Sequence, residues 1–332
     1  MKYRKLGKTD TPVSEVGLGT WQLGSADWGV VDEREAIAIL HKSVEQGVNF
    51  IDTADVYGGG ISERIIGKFL KETRETVYVA TKLGRKVSVR NDWMANFTLD
   101  VARKHTQESL RNLGVDAIFL QQWHCIPTDA FKSGEYFTIL ETLKREGLIR
   151  HWGCSVESVE EGLICAEHPG CASLQVIYNI FRQKLTDELL PRAARNRVGI
   201  LARVPLASGL LAGKFKAGHQ FAECDHRNYN ADGQAFNAGE TFAGVPFARG
   251  VEFAEQIRAI LKPGREVSLA QLALRWILDH PEVTTIIPGA TRLTQAESNA
   301  AVSGVPPLGR EQHAALETLY REKIAPTIRG KY

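Results

Sequence analysis

Eight short apolar runs, spaced by segments of helical length, constrain this chain more than any other feature. They are "EVGLGT" (15–20), "VNFID" (48–52), "VYVATK" (77–82), "AIFLQQ" (117–122), "IRHWGC" (149–154), "SLQVIY" (173–178), "GILARV" (199–204) and "TTIIPG" (284–289). Between them lie helix candidates at 33–46, 62–72, 98–113, 136–146, 157–167, 187–196 and 268–279. Their apolar residues recur at three and four, as Ile65, Ile66, Phe69 and Leu70 do. Strands alternating with helices predict a parallel sheet covered by helices. An open sheet of the dinucleotide-binding kind should carry G-x-G-x-x-G after its first strand. "GLGTWQ" has glutamine at the sixth position, and no other strand carries the pattern. Strand number and a length of 332 residues fit a (β/α)8 TIM barrel better, as a single domain over 1–332.

Two segments depart from a bare barrel. Residues 2–16, "KYRKLGKTDTPVSEV", read as an N-terminal β-hairpin around a Gly-Lys-Thr-Asp turn, placed to close the barrel's bottom. Residues 214–248, rich in Gly, Ala, Asn and Phe, make a long loop after the seventh strand, of a length usual for functional lids. A net charge of +2 and the lack of a run of five like charges argue against nucleic acid or an anionic membrane as partner. The five cysteines, at 125, 154, 165, 171 and 224, form no CxxC pair, as expected of reduced thiols in a cytoplasmic protein. "MKYRKLGKTD" has no apolar h-region and no window approaches ~18 apolar residues, so neither a signal peptide nor a membrane span is expected.

In such a barrel the reactive groups gather at the C-terminal ends of the strands. Those ends offer Thr20 and Trp21, Asp52 with Tyr57, Lys82, His124, Ser155, Gln175, Arg203 and Gly289. Asp52, Lys82 and His124 leave the second, third and fourth strands, and Tyr57 stands in the loop just beyond the second. A free phenol has a pKa near ~10, too high for easy proton donation at neutral pH, and a nearby ammonium lowers it. A carboxylate keeps that ammonium charged, the part Asp52 suits, and a histidine can orient a carbonyl or share the proton. Taken singly, Asp52 reads as a cap for the helix starting at Ser62, Tyr57 as a packing residue, Lys82 as a surface lysine and His124 as a core histidine. Their convergence is what points to chemistry.

The same stretches resemble the aldo-keto reductases nearly end to end, from "KLGKTDTPVSEVGLGTW" to "IIPGATRLTQAESNAAV". "NFIDTADVYGGGISERIIG" is similar to the family's signature around its aspartate and tyrosine, "VATKLG" to its lysine strand and "LQQWHC" to its histidine strand. The resemblance implies a (β/α)8 barrel that reduces a small-molecule carbonyl with NADPH. It carries the catalytic roles onto Asp52, Tyr57, Lys82 and His124, with Tyr57 as proton donor. On the cofactor side it points to Thr20, Trp21, Asp52, Ser155, Gln175 and Arg203. It extends through Pro205, Leu206, Ser208, Gly209 and Lys214 to Gly289, Ala290, Thr291, Arg292, Gln295 and Asn299. Val156 stands where asparagine is usual, Arg203 where many members place an aromatic ring, and Ser298 where glutamate is common. Ser208, Gly209 and Lys214 are pyrophosphate candidates, Gly209 because bare backbone approaches closely. Arg292, just before a helix expected from Leu293, is the candidate for the 2′-phosphate.

The resemblance also admits a second class, a nucleotide-sensing regulatory subunit like the potassium-channel β subunits. No metal is expected: in "ECDHR" (223–227) adjacent side chains project apart, and a lid segment with Arg227 reaching the cofactor phosphates is the favoured reading. Trp21, Trp93, Trp123 and Tyr178 are candidates for an apolar substrate pocket, and equally for the core.

Overall fold

The computed structural model describes residues 1–24, 26–28, 31–86 and 94–332. An antiparallel hairpin pairs β1 (Tyr3–Lys5) with β2 (Pro12–Ser14). Eight parallel strands follow in sequence order: β3 (Leu18–Gly19), β4 (Phe50–Asp52), β5 (Tyr78–Leu83), β6 (Ile118–His124), β7 (Ile149–Ser155), β8 (Cys171–Ile177), β9 (Gly199–Arg203) and β10 (Val283–Ile286). Parallel bridges from Val16 to Ile286 and from Gly19 to Gly289 join the last strand to the first, so the sheet closes into the expected barrel.

The hairpin plugs it. Leu6 and Val13, both fully buried, pack with Phe50, Ala80, Leu120, Leu201 and Ile287. Gly7 makes the seating possible: it holds φ +51°, and a Cβ there would stand 2.6 Å from the Ala172 carbonyl oxygen and the Gly199 nitrogen.

Helices form where the apolar period and the caps agree. Asp32 caps the helix Glu33–Glu45 by accepting from the Arg34 and Glu35 amides, and Ser268 with Gln271 makes a capping box at the head of Leu269–Leu278. Each such cap contributes ~1 kcal/mol. The helix Ile61–Glu72 buries Ile65, Ile66 and Phe69, and leaves Leu70, the fourth residue its periodicity marked, half-buried. Phe247–Leu261 and Arg310–Leu319 are helices the sequence reading did not assign. The first begins inside the glycine-rich connection behind Pro246, with no side-chain cap to announce it.

The long connection is ordered rather than trailing. It contains the short helix His226–Tyr229 and two single turns, Ala238–Glu240 and Phe242–Gly244. His226 Nδ1 lies 3.1 Å from the Asp27 carbonyl oxygen, and Tyr229 donates to the Asp27 carboxylate at 2.8 Å. Phe242 N donates to Ser208 Oγ at 3.1 Å. The loop thus bridges the segments following β3 and β9 across the mouth of the barrel. No helix among the described residues is long and apolar enough to cross a membrane.

Candidate active site

β4 delivers Asp52, β5 Lys82 and β6 His124 to the C-terminal mouth, and the turn after β4 swings Tyr57 over them. Three glycines make that turn possible. Gly58, Gly59 and Gly60 hold φ of +57°, +60° and +89°, and a Cβ on Gly58 would lie 1.6 Å from the Gly24 carbonyl oxygen.

Lys82 is fully buried at the centre of the group. Its Nζ donates to Asp52 Oδ1 at 2.6 Å, to the Thr53 carbonyl at 2.8 Å and to the Tyr57 hydroxyl at 3.2 Å. Asp52 Oδ2 accepts from Gln175 at 2.7 Å and from Gln122 at 3.4 Å, so the carboxylate is satisfied on both sides. Tyr57 stacks against Trp21 at 6.0 Å between centroids, and His124 meets its ring edge-on at the same distance.

These contacts set the protonation states. Burial works against the Lys82 ammonium, but Asp52 and then Tyr57 outweigh it and hold its pKa above an ordinary lysine's. For Tyr57, burial pushes the phenol up while Lys82 pulls it down, and burial prevails. The sequence expectation of a lowered phenol therefore captured only half of the balance. His124 is held well below the usual imidazole range by burial, then by the charges of Arg85, Lys82 and Arg203, so it is neutral at pH 7. Its Nδ1 is buried with no hydrogen-bond partner.

Two cavities meet at Tyr57. The larger, about 280 Å³, is lined by every residue expected on the cofactor side except Ser155, Lys214, Arg292 and Asn299. Ser155 is buried at the end of β7, where its Oγ faces Cys125 Sγ at 3.4 Å, and Asn299 props the cleft wall by donating to the Gly289 carbonyl at 3.2 Å. Lys214 and Arg292 are exposed, Arg292 at the N-cap of the helix Leu293–Ala300, as its position in sequence implied. Backbone strain concentrates along one wall: Val204, Ala207 and Ser208 all have φ near +50°, at 52°, 48° and 54°, followed by Gly209 at 96°. Left-handed non-glycine residues of this kind gather where a site over-determines the chain. Arg227 stands by Gly209, its Nη1 3.9 Å from where a Cβ would be, and Asp225 anchors its Nε at 2.8 Å. Asp225 also caps the short helix, and His226 is turned to Asp27, so "ECDHR" serves the loop's own docking.

The smaller cavity, about 180 Å³, is lined by Trp21, Asp27, Val56, Tyr57, Arg85, His124, Gln175, Arg203, Phe236 and Glu240. Of the tryptophans and tyrosine considered for a pocket, Trp21 lines it. Trp123 and Tyr178 are fully buried in the core, the other of the two readings, and Trp93 lies outside the described residues.

Among the participants that sequence reasoning missed, two are charged and lie beside the catalytic group. Arg85, three residues beyond Lys82, donates to Glu157 at 3.0 Å and to the His124 carbonyl at 3.3 Å. Its place in "VATKLGR" was the available signal. Glu240 pairs with Arg203 from within the long loop, where no local pattern marks it. Cys125, Glu157 and Glu240 bring possible ligand atoms within 4.8 Å of one another, but both carboxylates are paired with guanidinium groups.

Residues 15–321 match the family model described as "Aldo/keto reductase family". The chain is 30% identical to aldo-keto reductase YhdN of Bacillus subtilis over 99% of this chain and 96% of that protein. It is also 30% identical to the NADH-specific methylglyoxal reductase of Escherichia coli, over 92% and 94%. A probable voltage-gated potassium channel subunit beta of Arabidopsis thaliana is 28% identical over 100% and 98%. Among solved structures, the glycerol dehydrogenase AKR11B4 from Gluconobacter oxydans superposes with a TM-score of 0.74 at 31% identity, covering 95% of this chain and 94% of that one.

Proposed function

The chain belongs to the aldo/keto reductase family, and from that membership together with the site geometry we propose that it reduces aldehydes or ketones to alcohols with NADPH. The observation that carries the reading is Lys82 Nζ set between Asp52 at 2.6 Å and the Tyr57 hydroxyl at 3.2 Å. It supports Tyr57 as the proton donor. As a carbonyl carbon accepts hydride, its oxygen becomes an alkoxide, and the Tyr57 O–H bond breaks to protonate it. The ammonium beside the phenol stabilises the phenolate left behind, and Asp52 keeps that ammonium charged in a dry site. Neutral His124 suits hydrogen bonding to the carbonyl oxygen without competing as an acid.

The larger cleft fits a dinucleotide phosphate by its chemistry. Gly209 presents backbone without bulk, and Arg227, held by Asp225 through Nε and Nη2, stands beside it with Nη1 as a donor. Gln175, Arg203, Thr291 and Gln295 would hold the rest, with Arg292 at the head of its helix as the candidate for the 2′-phosphate. NADPH held there would supply the hydride. Purified protein assayed with NADPH against aldehydes and ketones tests the reading: consumption of NADPH with stoichiometric alcohol is expected. Tight NADPH binding with no turnover of any carbonyl would instead favour a nucleotide-sensing subunit.

A further inference from the structure

The two cavities that meet at Tyr57 share Trp21, Tyr57, Gln175, Arg203 and Glu240 as lining residues. In the reductase reading, hydride and proton reach adjacent atoms of one carbonyl. The ring that gives up the hydride therefore has to lie at this junction, close to the Tyr57 hydroxyl.

Among the described residues, the charged side chains lining the two cavities are Asp27, Asp52, Arg85, Arg203, Arg227 and Glu240. Four of these line one cavity only and are held by partners of their own. Asp52 pairs with Lys82, Arg85 with Glu157 and Arg227 with Asp225. Asp27 accepts from Trp21 Nε1 at 2.9 Å and from the Tyr229 hydroxyl at 2.8 Å. Arg203 and Glu240 are the two that line both cavities, and they pair with each other.

This pair is dry: Arg203 is 7% exposed and Glu240 8%. Arg203 ends β9, and its Nη2 donates to the Val156 carbonyl at 3.0 Å, so the barrel fixes the guanidinium. Its Nε is buried without a hydrogen-bond partner. Glu240 comes from the single turn Ala238–Glu240 of the long loop. A buried ion pair adds little stability over an apolar pair of the same volume, so stability alone does not account for it. Its position does. The reduced ring is neutral, and departure of the hydride leaves it with a unit positive charge. A guanidinium nearby, always protonated, weakens the hold on the oxidised form and not on the reduced one, and a carboxylate does the reverse. At an effective dielectric near ~20 and a separation of ~6 Å, one unopposed charge shifts an equilibrium by about 100-fold.

We propose that Arg203 and Glu240 set the preference of this site between oxidised and reduced cofactor, Arg203 loosening the oxidised ring and Glu240 restraining that effect. The proposal rests on the reductase reading, which puts the hydride-bearing end beside Tyr57. It adds two residues that respond to the cofactor's redox state.

The test titrates the full-length protein with NADPH and, separately, with NADP⁺, following tryptophan fluorescence, and needs no carbonyl turnover. The quantity read is the Kd for NADP⁺ divided by the Kd for NADPH, in which losses common to both cofactors cancel. Glu240→Gln keeps the side chain's shape and leaves the guanidinium unopposed, so the quotient should rise about tenfold or more. Arg203→Leu should lower it by a similar factor. Glu240→Asp keeps the carboxylate and should stay within about threefold of wild type. A pair that only ties the loop down would weaken both cofactors alike, and an unmoved quotient in Glu240→Gln overturns the proposal. So does a rise as large in Glu240→Asp as in Glu240→Gln, or a shift of the same sign in Glu240→Gln and Arg203→Leu. If Arg203→Leu does not fold, the two Glu240 variants are sufficient. Failure of wild type to bind either cofactor sinks the reductase reading and this proposal together, whereas binding of both with an unmoved quotient sinks this proposal alone.

Discussion

Replacing Asp55 by asparagine should remove a large alkaline penalty on stability. Asp55 lies two residues before Tyr57, is 4% exposed, and neither carboxyl oxygen has a hydrogen-bond partner of good geometry. His105 Nδ1 stands 4.0 Å away, and Glu63, Lys86 and Glu108 are the other charged neighbours. Burial first, then the Glu63 carboxylate, push the group up from 3.8 to about 8, with Lys86 opposing. An acid raised in the folded state keeps a proton that the unfolded chain releases, so stability is highest at low pH. It falls as pH rises from about 4 to about 8, and is level above that. A gap of about four pH units at roughly 1.4 kcal/mol each sets a ceiling near 6 kcal/mol, of which about 4 is lost between pH 5 and pH 8.5. Water reaching the turn as the carboxylate forms lowers the figure, so about 2–4 kcal/mol is expected. The assay is urea unfolding of wild type and Asp55→Asn at both pH values. The asparagine has the same shape and no charge to bury, so the mutant should gain about 2–4 kcal/mol on wild type between the two conditions. Parallel pH dependence of the two proteins would refute the reasoning.

The remaining predictions concern the site itself. Tyr57→Phe should lower kcat by ~10²- to 10⁴-fold with NADPH affinity nearly unchanged, since only the donated proton is lost; retention of half the wild-type rate, with hydride transfer rate-limiting, would rule the phenol out. Lys82→Met should move the alkaline limb of the kcat profile to higher pH, because the ammonium lowers the phenol's pKa. It should also destabilise the fold by about 3–5 kcal/mol, since Asp52 is left buried and unpaired; an unmoved profile detaches Lys82 from Tyr57. His124→Ala should reduce kcat/KM for ketones more than NADPH affinity, and equal losses in both would point to a structural histidine. Arg292→Ala should weaken NADPH about ten- to a hundredfold and spare NADH, as titration of both cofactors would reveal; equal or no losses would move the 2′-phosphate to Arg227.

Much of the barrel was legible because its strands are short apolar runs separated by amphipathic helices, and both periods are local. The same holds for Asp52, Lys82 and His124, which lie at or near strand ends that topology sends to one mouth, and for Tyr57 just beyond. The helix Phe247–Leu261 was hidden because it starts behind Pro246 in glycine-rich chain, without the side-chain cap that marks Glu33–Glu45. Glu240 was hidden for a different reason. Its value comes from reaching Arg203 across 37 residues of chain, and no spacing rule encodes a loop's return path. Lys82 lies between these cases: its identity was readable, but its complete burial was not. By itself the sequence determined the order of strands and helices and the residue types at the mouth, because these follow from periodicity, propensity and topology. Only the tertiary structure decided which charges are paired and how dry each one is. Protonation depends on distance and solvent exclusion set by distant segments, as the opposite shifts of Asp55 and His124 make plain.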